Sequence, residues 1–239
     1  MIEAADAGAP LVRLEGVSRV YGAGDAAVWA LRNIDLTIEA GDFVAVMGPS
    51  GSGKSTAMNI IGCLDRPSAG VYRFQGIEVS GLSPNQRALL RRHALGFVFQ
   101  GFNLLKRTNA LENVELPLVY QRAPAEARHQ RARAALEQVG LAHREGHTAS
   151  EMSGGEQQRV AIARAIVSSP SLLLADEPTG NLDTKRSAEI MTLLARLNAE
   201  QGITIIMVTH EAEMAAFARR IVSFRDGQVV GDQRQEGRR

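Results

Sequence analysis

One eight-residue segment, Gly48-Pro49-Ser50-Gly51-Ser52-Gly53-Lys54-Ser55, constrains this chain more than any other feature. It fits G-x-x-x-x-G-K-[ST] at every fixed position and stands between the apolar run Val44-Ala45-Val46-Met47 and a helical pattern. A glycine-rich turn from a buried strand into a helix lets several backbone N–H groups face a polyphosphate, with the positive helix end behind them. Lys54 then supplies a mobile positive charge to the β and γ phosphates, and Ser55 offers a hydroxyl to Mg²⁺. Only Lys54, Lys106 and Lys185 are lysines among the 27 basic residues, and one of them falls where this chemistry needs it.

Around that loop the chain alternates Val/Ile-rich runs with helical patterns, as an α/β fold does. Strands are expected at 11–19, 34–39, 43–47, 70–74, 95–99, 171–175, 203–208 and 221–225, and helices at 54–64, 84–93, 111–120, 125–139, 154–168 and 184–199. The runs at 44–47, 172–175 and 203–208 are apolar without alternation, which suits parallel strands covered on both faces. Between Gln100 and Ser153 the strand signal disappears, so this stretch reads as a helical subdomain inserted into the α/β core. Residues 1–10 are expected to fray and 231–239 to be flexible.

Composition narrows the class. With 27 Lys+Arg against 26 Asp+Glu the formal charge is +1, which argues against a dedicated nucleic-acid binder. At 45% apolar and 22% charged, with 8 prolines, the chain is an ordinary globular protein. No run approaches the roughly 18 apolar residues of a bilayer span. The start Met1-Ile2-Glu3-Ala4-Ala5-Asp6 lacks the basic leader of a secretory signal. The one cysteine, Cys63, reads as a core residue in a reducing compartment, and the expectation is a cytosolic protein. Residues 86–133 hold nine basic and three acidic side chains, a local excess of 9 − 3 = +6. That segment is either a solvated helical face or a docking surface for an acidic or membrane-proximal partner.

Polar residues that directly follow strands are candidates for one shared site, because ligands gather beyond the carboxyl ends of parallel strands. Leu172-Leu173-Leu174-Ala175 runs into Asp176-Glu177, where the first carboxylate can hold Mg²⁺ and the second can polarise an attacking water. Gln100 follows Gly96-Phe97-Val98-Phe99 and can touch Mg²⁺ or the lytic water. His210 follows Val208-Thr209 and is either a γ-phosphate sensor or a hydrogen-bonded structural histidine. The five histidines show no H-E-x-x-H pattern, no second cysteine is available for zinc, and no G-x-S-x-G elbow or guanine-reading Asn-Lys-x-Asp occurs. Adenine nucleotide is therefore the expected ligand.

Ser153-Gly154-Gly155-Glu156 has the form of a capping box before a long helical pattern. Two glycines in a first turn weaken a helix, so a ligand brought close to its N–H groups is the better explanation. One nucleotide needs one phosphate cradle and this chain has two. A head-to-tail dimer, with the Ser153 helix of one subunit closing over the nucleotide of the other, resolves the surplus.

The ordered set of the loop at 48–55, Gln100, Ser153-Gly154-Gly155-Glu156-Gln157, Asp176-Glu177, Asp183 and His210 resembles the ATP-binding subunits of ABC transporters. Met152 and Glu156 depart mildly from that family's commoner Leu and Gln. The resemblance implies a single ABC ATP-binding domain over 1–239, a P-loop NTPase (RecA-like) α/β core with a mainly parallel sheet. Its core and antiparallel β subdomain would occupy 1–95 and 165–239, and the inserted helical subdomain 96–164. It further implies that ATP is bound by Tyr21 stacking on adenine, by Gly48, Pro49, Ser50, Gly51, Ser52, Gly53, Lys54, Ser55, Thr56 and Gln100, and in trans by Ser153, Gly154, Gly155, Glu156 and Asp183. Mg²⁺ falls to Ser55, Gln100 and Asp176. Glu177 is the implied general base, with His210, Lys54 and Gln100 as the other catalytic residues. Tyr21 is also open to a core-packing role.

Finer likeness lies in Met58-Asn59-Ile60-Ile61-Gly62-Cys63-Leu64-Asp65, Glu112-Asn113-Val114-Glu115-Leu116-Pro117 and Pro178-Thr179-Gly180-Asn181-Leu182-Asp183, which resemble the macrolide-exporter, lipoprotein-releasing and cell-division ATPases. For such ATPases, dimer closure on ATP drives a four-helix permease carried on another polypeptide. The implied partners are a second copy, an integral membrane permease and a periplasmic adaptor, with no nucleic acid. The implied location is the cytoplasmic face of the inner membrane. Phe102, Leu104, Leu105 and Leu111 are candidates for the permease groove. The competing class is a soluble, non-transport ABC ATPase.

Overall fold

The computed structural model describes residues 8–238, with only the backbone described at Asp25. The expected frayed start falls mainly on residues 1–7, which lie outside the described ones. In chain order the first elements are β1 (Val12–Tyr21), β2 (Val28–Ile38), β3 (Phe43–Met47), α1 (Lys54–Ile61), β4 (Ala69–Phe74), β5 (Ile77–Glu78) and α2 (Pro84–Ala94). β6 (Leu95–Phe99), α3 (Ala110–Tyr120), α4 (Ala125–Gln138) and α5 (Gly154–Ile166) follow. The chain continues through β7 (Leu172–Asp176), α6 (Thr184–Gln201), β8 (Thr204–Val208), α7 (Ala212–Ala215), β9 (Arg220–Arg225) and β10 (Gln228–Arg234). Every expected strand and helix is present.

The chain forms two compact units, one reaching Leu90 and resuming at Val208–Arg238, the other Arg91–Met207. In the first, an antiparallel sheet runs β2-β1-β4-β5, and a second set runs β10-β9-β3 with β3 parallel to β9 and β10 antiparallel to it. Its core is built from Val12, Leu14, Ile34, Ile38, Phe43, Val44, Tyr72, Phe74 and Phe224. Cys63 is 1% exposed in this core, as expected.

In the second unit the strand order is β8-β7-β6, with β6 parallel to β7. The buried runs Leu172–Ala175 and Ile205–Val208 confirm that unalternating apolar strands are covered on both faces. α5 packs on β6, α3, α4 and α6, so it is central to this unit. Parallel strands, an antiparallel sheet and helices are thus all present, as the expected P-loop NTPase fold requires.

Three expectations are corrected. β2 starts six residues before 34, because the polar stretch Arg32-Asn33 hides a strand whose Asn33 takes a positive φ of 51°. α1 stops at Ile61 rather than 64, since Gly62 caps it and Cys63 turns left-handed at φ 57°. The tail is not loose: β10 extends to Arg234, Gln235 N–H donates to the Arg219 carbonyl at 2.8 Å, and Arg238 N–H to the Ala216 carbonyl at 2.8 Å. Among the described residues no helix is long and apolar enough to cross a membrane.

Candidate functional site

In the first unit, β3 delivers the chain into the glycine-rich loop. Gly48 has φ 150°, and a Cβ there would lie 2.2 Å from the Phe224 carbonyl oxygen. Gly53 has φ 102°, and its Cβ would lie 2.6 Å from the Ala30 oxygen. No larger residue fits either position, which explains the glycines of the pattern in steric terms. Lys54 is 8% exposed and folds back over the loop, its Nζ donating to the carbonyls of Gly48 and Pro49 at 2.8 Å each. The buried Ser52 Oγ has no hydrogen-bond partner. A glycine loop held against the Lys54 ammonium, with an orphaned hydroxyl beside it, supplies donors that fit a polyphosphate. Ser55 and Thr56 begin the helix behind it.

His210 is placed by the same unit. Thr209 N–H donates to the Val46 carbonyl at 3.2 Å, and Thr209 Oγ1 accepts from Glu211 N–H at 3.1 Å. Exposed His210 therefore follows a residue pinned to the strand that feeds the loop. Tyr21 ends β1 with its hydroxyl on Asp65 Oδ2 at 2.7 Å and the Arg19 guanidinium 4.4 Å from its ring centroid. Against the opposing effect of burial, hydrogen bonds from Tyr21 and Arg66 and the charge of Arg19 lower the Asp65 pKa.

In the second unit Phe99 and Asp176 are register partners, so Gln100 and Glu177 leave adjacent strand ends together. Glu177 adopts a left-handed φ of 43°, an unusual conformation for a glutamate and one that concentrates at functional sites. Gln100 and Asn181 bond each other, Nε2 to Oδ1 at 3.3 Å and Asn181 Nδ2 to the Gln100 carbonyl at 2.9 Å. Gln158 Nε2 donates to the Pro178 carbonyl at 2.6 Å, directly after Glu177. Arg164 donates to the carbonyls of Phe102 and Asn103 at 2.9 and 2.6 Å, holding two consecutive residues with positive φ. Asp183 caps α6 through Arg186 N–H at 3.0 Å. Sequence reading passed over Gln158 and Arg164, which sit in an ordinary helical pattern, while Asn181 lay in a quoted motif without a role.

The Ser153 capping box forms as expected: Glu156 N–H donates to Ser153 Oγ at 3.4 Å, and Ser153 N–H and Oγ donate to Glu156 Oε2 at 2.9 and 2.8 Å. Its two glycines stand close to side chains of the loop and helix that follow β7. A Cβ on Gly154 would lie 3.3 Å from Leu182, and one on Gly155 3.3 Å from Arg186. Both neighbours are side-chain atoms that can give by a few tenths of an ångström, so these contacts leave the ligand reading of the two glycines standing. The basic excess at 86–133 is partly internal: Arg128 pairs with Glu115, Arg133 with Glu145, and Arg131 donates to the Val167 carbonyl at 2.9 Å. Asn113, from another quoted motif, organises a loop, bonding Leu105, Thr108 and Asn109. Of the groove candidates, Leu105 is 46% exposed while Phe102, Leu104 and Leu111 are half-buried.

The glycine-rich loop around Lys54, entered from β3 and left through α1, defines a P-loop protein. Residues 31–180 match the ABC transporter family. The chain belongs to that family. It is 53% identical over 230 residues to the macrolide export ATP-binding/permease protein MacB 1/2 of Paracoccus denitrificans (strain Pd 1222), covering 96% of this chain and 34% of that protein. It is 52% identical over 228 residues to the pyoverdine export ATP-binding/permease protein PvdT of Pseudomonas fluorescens (strain Pf0-1), covering 95% and 35%. The chain thus spans about a third of the length of these relatives. Among solved structures, the dimeric post-hydrolysis state of the ATP-binding cassette MJ0796, bound to ADP and Pi, is 44% identical with a TM-score of 0.86, covering 95% of this chain and all of that one.

Proposed function

We propose that this cassette, one ABC domain with a helical subdomain at 96–164, binds MgATP, pairs head to tail with a second copy, and drives a membrane permease in export. The observation that carries this reading is the loop around Lys54, a steric cradle with a buried ammonium, on a chain that matches a dimeric cassette bound to ADP and Pi over 95% of its length.

Lys54 and the loop N–H groups hold the β and γ phosphates, and Tyr21 takes the adenine. Mg²⁺, held by Ser55, Gln100 and Asp176, would neutralise phosphate charge. Glu177 takes the proton of the attacking water, His210 senses the γ-phosphate, and Ser153, Gly154, Gly155, Glu156 and Asp183 face the nucleotide of the second copy. Catalysis by this set is positioning plus charge stabilisation, as phosphoryl transfer requires. The names of the MacB and PvdT relatives join ATP binding to a permease, which supports export, a permease partner and a place at the cytoplasmic face of the membrane. A periplasmic adaptor completes the proposed assembly.

Glu177→Gln tests the reading. ATP binding should persist, hydrolysis should fall by at least about a hundredfold, and an ATP-bound dimer should accumulate in light scattering. Retained turnover would remove Glu177 as the base, and a monomer with bound ATP would remove the head-to-tail pairing.

A further inference from the structure

Asp65 stands three residues past the glycine that caps α1, in the stretch Met58 to Asp65 that the ATPase reading leaves without a role. Its carboxylate receives four donors. Oδ2 accepts the Tyr21 hydroxyl at 2.7 Å and Arg19 Nε at 2.9 Å, while Oδ1 accepts Arg66 N–H at 2.7 Å and pairs with the Arg19 guanidinium at 2.9 Å. That fills the acceptor capacity of a carboxylate and leaves Tyr21 and Arg19 little freedom to turn.

Arg19 and Tyr21 are two residues apart on β1 and lie on one face of it. The register of β1 against β2 shifts on both sides of Arg19, an irregularity of the kind that re-aims side chains. The result is a guanidinium 4.4 Å from the ring centroid, covering one face of Tyr21. The backbone is fastened too: Val20 N–H donates to Ser68 Oγ at 3.1 Å, and Ser68 N–H to the Ser18 carbonyl at 2.7 Å. Tyr21 nevertheless stays 40% exposed, which leaves ring surface for a ligand.

We propose that Asp65 is a positioning residue for the nucleotide base: it fixes the Tyr21 ring, backed by Arg19 on one face, as a rigid platform whose other face receives adenine. The proposal rests on the reading of Tyr21 as the adenine-stacking residue. Because Asp65 follows α1, and α1 begins at Lys54, one continuous segment ties the base platform to the lysine of the phosphate cradle. A platform already ordered loses less freedom when the base lands on it, so its value appears as affinity for the base and not for the phosphates.

The experiment compares binding of ATP and of inorganic tripolyphosphate, each with Mg²⁺, to the parent chain and to Tyr21→Ala, Tyr21→Phe, Asp65→Asn and the Tyr21→Ala/Asp65→Asn pair. Asp65→Asn should weaken ATP by roughly three- to tenfold, leave tripolyphosphate unchanged, and raise the KM for ATP with kcat at saturation retained. Tyr21→Phe, which removes only the hydroxyl, should show a smaller loss of the same kind. The double variant should bind ATP no more weakly than Tyr21→Ala alone. If Tyr21→Ala leaves the ratio of ATP to tripolyphosphate affinity unchanged, the adenine-stacking reading falls and the proposal with it. If Tyr21→Ala lowers that ratio but Asp65→Asn does not, the proposal alone is overturned. Equal losses for both ligands in Asp65→Asn also overturn it, since the carboxylate would then act through α1. Should Asp65→Asn fail to fold, an unchanged ratio in Tyr21→Phe overturns it instead.

Discussion

Gln100 and Asn181 grip each other through two hydrogen bonds, of 3.3 and 2.9 Å, across 81 positions of sequence. Gly180 is the reason they can, because a Cβ there would lie 2.7 Å from Gln100 Nε2. Gly180→Ala should therefore push the Gln100 amide aside while leaving the fold intact. On the proposed role of Gln100 at the metal or the lytic water, kcat should fall between about tenfold and a hundredfold, as small misplacements do. Stability should move by no more than about 0.5 kcal/mol. Steady-state ATPase assays beside thermal melts check this; a shifted Tm with unchanged kcat would make Gly180 merely structural.

The loop glycines are not equivalent, and the difference is measurable. Gly48→Ala drives a methyl to 2.2 Å from the Phe224 carbonyl, whereas a Cβ on Gly51 meets open space. Gly51→Ala should cost only the strain of its φ of 77°, about 1 kcal/mol. Gly48→Ala should cost more, in the range of about 1–3 kcal/mol for overpacking, and should abolish nucleotide binding. Urea unfolding and fluorescent-nucleotide titration of the two variants would show the order; equal effects would mean that the loop relaxes around the Gly48 methyl.

These contacts mark where sequence reading stopped. The loop, the buried parallel strands and the residues at their ends were legible because each depends on a local pattern: glycines with a lysine, unbroken apolar runs, a carboxylate pair beyond a strand. Asn181, Gln158 and Arg164 were not, since their roles depend on partners 81, 20 and about 60 residues away. The start of β2 is hidden because polar Arg32-Asn33 interrupts the run after Val28-Trp29-Ala30-Leu31, and β10 because it is a mostly polar, largely exposed strand paired through its backbone.

Glu156 places a carboxylate on the Ser153 hydroxyl at 2.8 Å, at a helix start proposed to face the phosphates of a second copy. Hydrogen bonds from the Ser153 backbone and hydroxyl hold its pKa below the usual range, and Arg144 adds an ion pair at 3.1 Å, so it stays charged. Glutamine fills the same position of a capping box without the charge. Glu156→Gln should tighten ATP-dependent dimerisation severalfold at low salt, measured by ultracentrifugation in the Glu177→Gln background, with the gain shrinking as salt screens it. A gain independent of salt, or none, would argue against a phosphate docking beside Ser153.

Arg220 anchors β9 to β10, donating from Nε to Asp232 Oδ1 at 2.7 Å and from a terminal nitrogen to Oδ2 at 2.6 Å, while its other terminal nitrogen donates to the Thr37 carbonyl at 2.7 Å. The bond from Arg220 is the main cause of the lowered Asp232 pKa, with burial opposing it. A carboxylate whose folded pKa lies below its unfolded value, near 3.9, contributes stability above that value and loses it as pH falls through the folded pKa. Asp232 is partly solvent-exposed, so screening keeps the contribution modest. Asp232→Asn should therefore unfold at lower urea than the parent at pH 6–7, and the gap should close as the pH falls below about 4. A gap that stays constant from pH 7 to pH 3 would assign the effect of Asp232 to packing and not to its charge.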